Sequence, residues 1–272
     1  MKHLLMTLCV VLAGLSATAA PEAGDTITIF MIGDSTMANK KLDGENQERG
    51  WGQMLPLHLQ GAIRVDNHAR NGRSSLSFIR EKRWDKVRDM LRPGDYVIIQ
   101  FGHNDEKVGN PKNYTVPGGT FDEYLTRFAT ETLERGATPI LMNSIVRRNF
   151  PRHVADYKIG DGWDYMCYAN EGDTLVDTHG PYLESPRRVA EKLGVTFIDM
   201  NALTRDLVQG LGTVDSRDLY MWIPARRYPF CPKGKCDNTH LNIHGATVVS
   251  RLAADALYDA VPALRPFIIK GD

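Results

Sequence analysis

Five short apolar, β-branched runs, at residues 26–32, 62–67, 95–101, 139–146 and 195–199, are separated by stretches of helical periodicity. Runs of that length and composition read as buried strands. Strands that alternate with helices form a parallel sheet whose crossovers cover both of its faces, so the chain is expected to be α/β. Helices are expected near residues 53–60, over 75–91, where Leu76, Ile79, Trp84, Val87 and Leu91 fall at helical spacing, and over 120–135, with Thr120 as the cap and Gly136 as the stop. Three more are expected over residues 181–193, 201–211 and 243–258. Residues 40–48 read as a polar, flexible connection, and residues 147–180 as a long irregular segment holding Trp163, Tyr165 and Tyr168. Structureless segments of that length are usually functional or disordered, and the aromatics argue against disorder. The loop before the last helix carries Pro224, Pro229 and Pro232. No repeat, low-complexity tract or linker divides the chain, so residues 20–272 are expected to form a single domain.

The 33 Lys and Arg residues balance the 33 Asp and Glu residues. That balance leaves no electrostatic footprint for nucleic acid or an anionic membrane, and a polyanionic partner would need local basic patches. Lys2, the apolar run 4–15 and the small residues 16–20 have the layout of a secretory signal, with cleavage expected after Ala19. The apolar run is too short to span a bilayer comfortably. The expected location is therefore periplasmic or extracellular. Cys9 would leave with the leader. Of the remaining cysteines, Cys231 and Cys236 bracket a four-residue loop that a disulfide could close, and Cys167 is expected to be a buried free thiol.

Three strand ends carry groups suited to acyl transfer. Gly33-Asp34-Ser35-Thr36 follows the first run, Asn71-Gly72-Arg73-Ser74 the second, and Gly102-His103-Asn104-Asp105 the third. In a parallel sheet these ends open on one edge, where ligands bind. Glycine at position 33 would permit a tight turn that lifts the Ser35 hydroxyl into a cleft. A serine nucleophile needs donors aimed at the tetrahedral oxyanion, and the backbone of Gly72 and the amide of Asn104 could supply them. It also needs a base held in one tautomer by a carboxylate. Asp237 and His240, three positions apart near the C-terminus, offer that pair. Each residue alone reads better as a turn or loop residue; the argument rests on their joint occurrence. His240 and His244 stand four apart but lack the adjacent Glu of a zinc protease, so no metal site is expected.

The four blocks together resemble those of the GDSL/SGNH hydrolases, and their wording is similar to the rhamnogalacturonan acetylesterases, which remove acetyl groups from pectin. The resemblance runs from about residue 26 to residue 246. It implies a three-layer α/β/α sandwich on a five-stranded parallel sheet of flavodoxin-like order. It also implies Ser35 as nucleophile, Asp237 and His240 as acid and base, and Ser35, Gly72 and Asn104 as the oxyanion hole, with no cofactor. The segment 147–180 departs from a minimal member in length, which bears on the substrate pocket.

A pectin substrate carries carboxylates, which calls for cations and sugar-stacking aromatics in the loops. Arg147, Arg148 and Arg226 are candidates for the carboxylates, with Arg152, Arg227 and Lys233 nearby. Trp163, Tyr165 and Trp222 are candidates for stacking, and His103 for lining the cleft. The expectation is a secreted, monomeric serine esterase that deacetylates an acidic plant polysaccharide. An acetylxylan esterase, a lysophospholipase or a thioesterase would share the machinery, and a non-catalytic polysaccharide-binding protein would not need it.

Overall fold

The structure is a computed structural model that describes residues 26–152 and 172–271. The expected leader, Trp163, Tyr165 and Cys167 lie outside the described residues.

Five strands, β1 (Ile27–Gly33), β2 (Ile63–Asn67), β3 (Tyr96–Gln100), β4 (Thr138–Met142) and β5 (Thr196–Ile198), form one sheet in the order β2-β1-β3-β4-β5. Every pairing within it is parallel. The pattern of side chains along β1 shows why the sheet needs cover on both sides. Ile29 and Met31 enter one core, with Ile98, Ile140, Met142 and Ile198 from neighbouring strands, while Phe30 and Ile32 enter the other with Val97, Ile99 and Leu141. Successive strand side chains point to opposite faces, so two apolar faces must each find a helical layer.

The first layer comprises α1 (Trp51–Met54), α6 (Met200–Asp215) and α7 (Ile243–Ala260), which contribute Trp51, Val208, Val249, Ala253 and Leu257. The second comprises α2 (Ser75–Arg80), α3 (Arg83–Met90), α4 (Thr120–Glu134) and α5 (Glu184–Leu193), which contribute Phe78, Trp84, Phe121, Phe128 and Val189. The expected fold class and strand order are those observed. Among the described residues no helix is long and apolar enough to cross a membrane.

Buried amides stitch the sheet at its carboxyl edge. Gln100 accepts from the indole N–H of Trp51 and donates to the carbonyl of Asn143, both at 2.8 Å. Asn143 in turn accepts from the backbone of Asn201 and donates to Asp199. Each of these polar groups is satisfied where water cannot reach, which holds β3, β4 and α6 in fixed register.

Several local expectations are corrected. The single helix expected over residues 75–91 is two, because Lys82 takes a left-handed conformation (φ 53°) between α2 and α3. Thr120 is the first residue of α4, not its cap; Gly119 holds the cap position, and the Thr120 hydroxyl accepts from Val116 N–H. Within the polar connection of residues 40–48, Lys40 is buried and residues 43–45 form a 3-10 turn. The loop before the last helix contains an antiparallel hairpin, β6 (Tyr220–Ile223) and β7 (Lys235–Leu241). Cys236 is disulfide-bonded while Cys231 is free, so the two do not close the loop between them.

Candidate active site

Ser35 lies in the turn that follows β1, and its neighbour Asp34 builds that turn. Asp34 Oδ1 accepts from the backbone N–H of Thr36 at 2.9 Å and from its hydroxyl at 2.8 Å. A carboxylate that binds its own chain two residues on is a compact way to fix a turn. Gly33 serves by its size: a Cβ there would stand 2.6 Å from the carbonyl oxygen of Gln100 on β3. Its backbone is not left-handed, so the reason for glycine differs from the one expected from sequence.

The loop after β2 is tied back to β1, with Arg70 N–H on the carbonyl of Gly33 at 2.9 Å. Gly72 has φ +74°, a conformation that L side chains rarely adopt. Asn104, in the turn after β3, donates from Nδ2 to the carbonyl of Arg73 at 3.0 Å and accepts on Oδ1 from Lys107 Nζ at 2.9 Å. Lys107 thereby fixes which way the amide faces, and the second N–H of Nδ2 stays available. Neither Ser35 N–H nor Gly72 N–H has an acceptor among the described residues.

Asp237 and His240 lie on β7. Asp237 Oδ1 takes the backbone N–H groups of Thr239 at 2.8 Å and His240 at 2.9 Å, while Oδ2 takes His240 Nδ1–H at 2.8 Å. Burial would raise the Asp237 carboxyl, but the hydrogen bond and charge of His240 and the charge of Lys235 outweigh it and hold the carboxyl well below its usual range. An ionised carboxylate accepts only, so it places the imidazole proton on Nδ1 and leaves Nε2 to accept. The Ser35 hydroxyl stands 2.9 Å from that Nε2. The three groups thus form one continuous hydrogen-bonded line across residues 205 positions apart.

This line forms part of a cleft of about 380 Å³ bounded also by His103, Asn104, Lys107, Arg147, Lys235 and Thr239. His103 is 3% exposed with neither ring nitrogen bonded, its ring edge-on to His179 at 4.6 Å. Burial, reinforced by Arg147, pushes its pKa well below the ordinary value, so it is neutral. Arg147 borders the cleft, but its guanidinium is held by Glu106 at 2.5 Å and by the Thr178 hydroxyl at 2.9 Å. Gly72 lines an adjoining depression with Arg73, Arg80, Glu81 and Lys112.

The other expected substrate contacts are placed elsewhere. Arg148 is fully buried, bonded to Ser216 and Asn238, and lies over the Trp222 ring at 4.8 Å. Trp222 borders a different groove, with Arg217 also against its ring at 4.6 Å, so guanidinium groups already occupy the indole as stacking partners. Arg226 is exposed and does not line the cleft that holds Ser35 and His240. Lys107 and Lys235, which do line it, were missed by sequence reasoning because isolated lysines carry no pattern. Among the described residues no group of three or more His, Cys, Asp or Glu side chains is arranged to hold a metal ion.

Residues 31–248 match the model of the GDSL-like Lipase/Acylhydrolase family. The chain is 32% identical to the rhamnogalacturonan acetylesterase RhgT of Bacillus subtilis (strain 168), over 89% of this chain and 94% of that protein. It is 30% identical to a rhamnogalacturonan acetylesterase of Emericella nidulans, over 86% of this chain and 84% of that protein. Among solved structures, the Bacillus subtilis protein YxiM superposes with a TM-score of 0.65 at 26% identity, over 86% of this chain and 56% of that one. An acetyl-xylooligosaccharide esterase from Geobacillus shares the fold at a TM-score of 0.55 and 17% identity, over 86% of this chain and 95% of that one.

Proposed function

The chain belongs to the GDSL-like lipase/acylhydrolase family and is a carboxylic ester hydrolase, and from that premise we propose that it is an exported serine acetylesterase of acidic plant polysaccharide, with acetylated rhamnogalacturonan as substrate. The observation that carries the proposal is the alignment of Ser35 Oγ, His240 and Asp237 at 2.9 and 2.8 Å in an open cleft. The names of two relatives, both rhamnogalacturonan acetylesterases, support the substrate class. So does the surplus of cations around the cleft: Lys107 lines it, and Arg73, Arg80 and Lys112 face one acid, Glu81, in the depression beside it.

In the proposed reaction His240 Nε2 takes the Ser35 proton as Oγ attacks the acetyl carbonyl carbon. The electron pair of the carbonyl moves onto its oxygen, which the N–H groups of Ser35, Gly72 and Asn104 receive. Collapse expels the sugar hydroxyl, protonated by the His240 imidazolium. Asp237 stabilises that cation throughout and stays ionised. Water, deprotonated by His240, then attacks the acetyl-enzyme and releases acetate, returning the proton to Ser35.

The test is acetate release from acetylated rhamnogalacturonan, homogalacturonan and xylan measured side by side. Preference for rhamnogalacturonan is expected. A preference for xylan would overturn the substrate assignment and leave the mechanism standing, whereas no release from any ester would remove both.

A further inference from the structure

Two lysines and a glutamate connect the halves of the site. Lys40 Nζ donates to Asn71 Oδ1 at 2.7 Å and to Glu48 Oε1 at 2.9 Å. Lys235 Nζ donates to the other oxygen, Glu48 Oε2, at 2.9 Å, and reaches Asp237 Oδ2 at 3.1 Å. The line Asn71–Lys40–Glu48–Lys235–Asp237 therefore starts one residue before Gly72 and ends on the carboxylate that orients His240. Its members come from three separate parts of the chain.

The bridge is built rather than incidental. The Lys40 side chain is 4% exposed and that of Glu48 17%, so neither is a solvated surface pair. Burial would raise the Glu48 carboxyl, but the charges of Lys40, His240 and Lys235 hold it down at about 2. The backbone of Glu48 is also fixed, through an antiparallel bridge to Asn242, whose side chain caps α7 directly after β7. Two cations against the carboxylates of Glu48 and Asp237 leave the line without net charge. Buried ion pairs of this kind add little net stability, because desolvation offsets their attraction. What they do fix is relative position.

Resting on the serine-esterase reading above, we infer that Glu48 is a positioning residue that holds the oxyanion loop at Asn71–Gly72 in register with the Asp237–His240 pair. The tetrahedral intermediate needs both at once: N–H groups on its oxygen and the imidazole on the attacking hydroxyl. A small displacement of one relative to the other costs rate steeply while substrate binding is spared.

The experiment compares kcat and KM for 4-nitrophenyl acetate among the wild type, Glu48→Gln, Lys40→Met, the double variant and Ser35→Ala, with thermal melts of each. Glu48→Gln is expected to lower kcat by about tenfold to a hundredfold with KM within about twofold. The double variant is expected to lose no more than Glu48→Gln alone, because Lys40 acts through Glu48. Should Glu48→Gln fail to fold, Lys40→Met breaks one arm of the bridge and is expected to lower kcat several-fold at constant KM. Unchanged kcat in a folded variant, or losses that multiply in the double variant, would overturn the inference alone. An inactive wild type, or an active Ser35→Ala, would overturn the esterase reading and the inference with it.

Discussion

Asp105 accepts the backbone N–H of Ser75 at 3.0 Å and the Ser75 hydroxyl on the same oxygen, Oδ1. Thr115 donates to that oxygen as well, at 3.0 Å. Ser75 opens α2 directly behind the loop of Gly72, and Asp105 directly follows Asn104, so this buried carboxyl fastens two of the proposed oxyanion donors to each other. Its chemistry is unusual for an aspartate: burial raises the pKa to about 7, against the opposing pull of the Ser75 and Thr115 donors.

A pH dependence of stability follows. The unfolded chain releases the Asp105 proton near the ordinary 3.8 and the folded protein near 7. The stabilising contribution of the protonated group is complete below about pH 4, declines as the pH rises, and is gone above about pH 7. Asp105→Asn, which cannot ionise, is expected to gain stability relative to the wild type between about pH 5 and pH 8. Urea midpoints at several pH values measure this, and a difference constant across that range would show a carboxylate ionised throughout.

Catalysis should fail in graded steps. Ser35→Ala and His240→Ala are each expected to lower kcat/KM by several powers of ten, and together by little more, since such groups act as a unit. Asn104→Ala, which removes one donor, is expected to cost about 10²–10³ in kcat with a modest change in KM. Initial rates of acetate release provide the comparison, and additive losses for Ser35 and His240 would contradict a shared proton transfer.

Two glycines are expected to fail differently. A Cβ at Gly72 would meet nothing within 4 Å, so Gly72→Ala pays only for its φ of +74°, about 1–2 kcal/mol. The variant should fold and lose activity through a shifted backbone N–H. Gly33→Ala instead drives a Cβ to 2.6 Å from the Gln100 carbonyl oxygen, and is expected to destabilise by about 1–3 kcal/mol or more. Melting temperatures rank the pair, and a greater loss at Gly72 would refute the steric account.

Arg147 should behave as a structural residue in spite of its place beside the cleft. Its guanidinium meets Glu106, whose side chain is 8% exposed and whose other oxygen takes His179 Nδ1 at 2.8 Å. Arg147→Met strands that carboxylate and is expected to cost about 3–5 kcal/mol of stability. The KM for an acidic oligosaccharide should stay near the wild-type value in the protein that remains folded; a selective rise in KM would return Arg147 to the substrate.

The frame of the molecule was legible because strand periodicity and turn residues are local signals. Residues 95–101 announce β3 by composition alone, and the Gly, Asn and Asp of the blocks mark where strands end. The break at Lys82 was hidden, since the apolar spacing from Leu76 to Leu91 fits one helix and a single lysine in a left-handed conformation has no sequence signature. The hairpin of β6 and β7 was masked by the prolines and Cys231 between its strands. Electrostatic partners were the least visible of all. Arg147 and Arg148 look like receptors for anions until the fold surrounds them with Glu106, Ser216 and Asn238, while Lys40 and Lys235 gain their meaning only from a glutamate that neither adjoins in sequence.

The tight turn that lets Asp237 grip both the backbone and the ring of His240 has a consequence for the life of the polypeptide. The proposed acid and base arrive together, already oriented by local bonds, and the imidazole of His240 is synthesised 205 positions after the Ser35 hydroxyl. On the serine-esterase reading the centre is incomplete until the hairpin of β6 and β7 packs against the end of β1 and brings the imidazole to the hydroxyl.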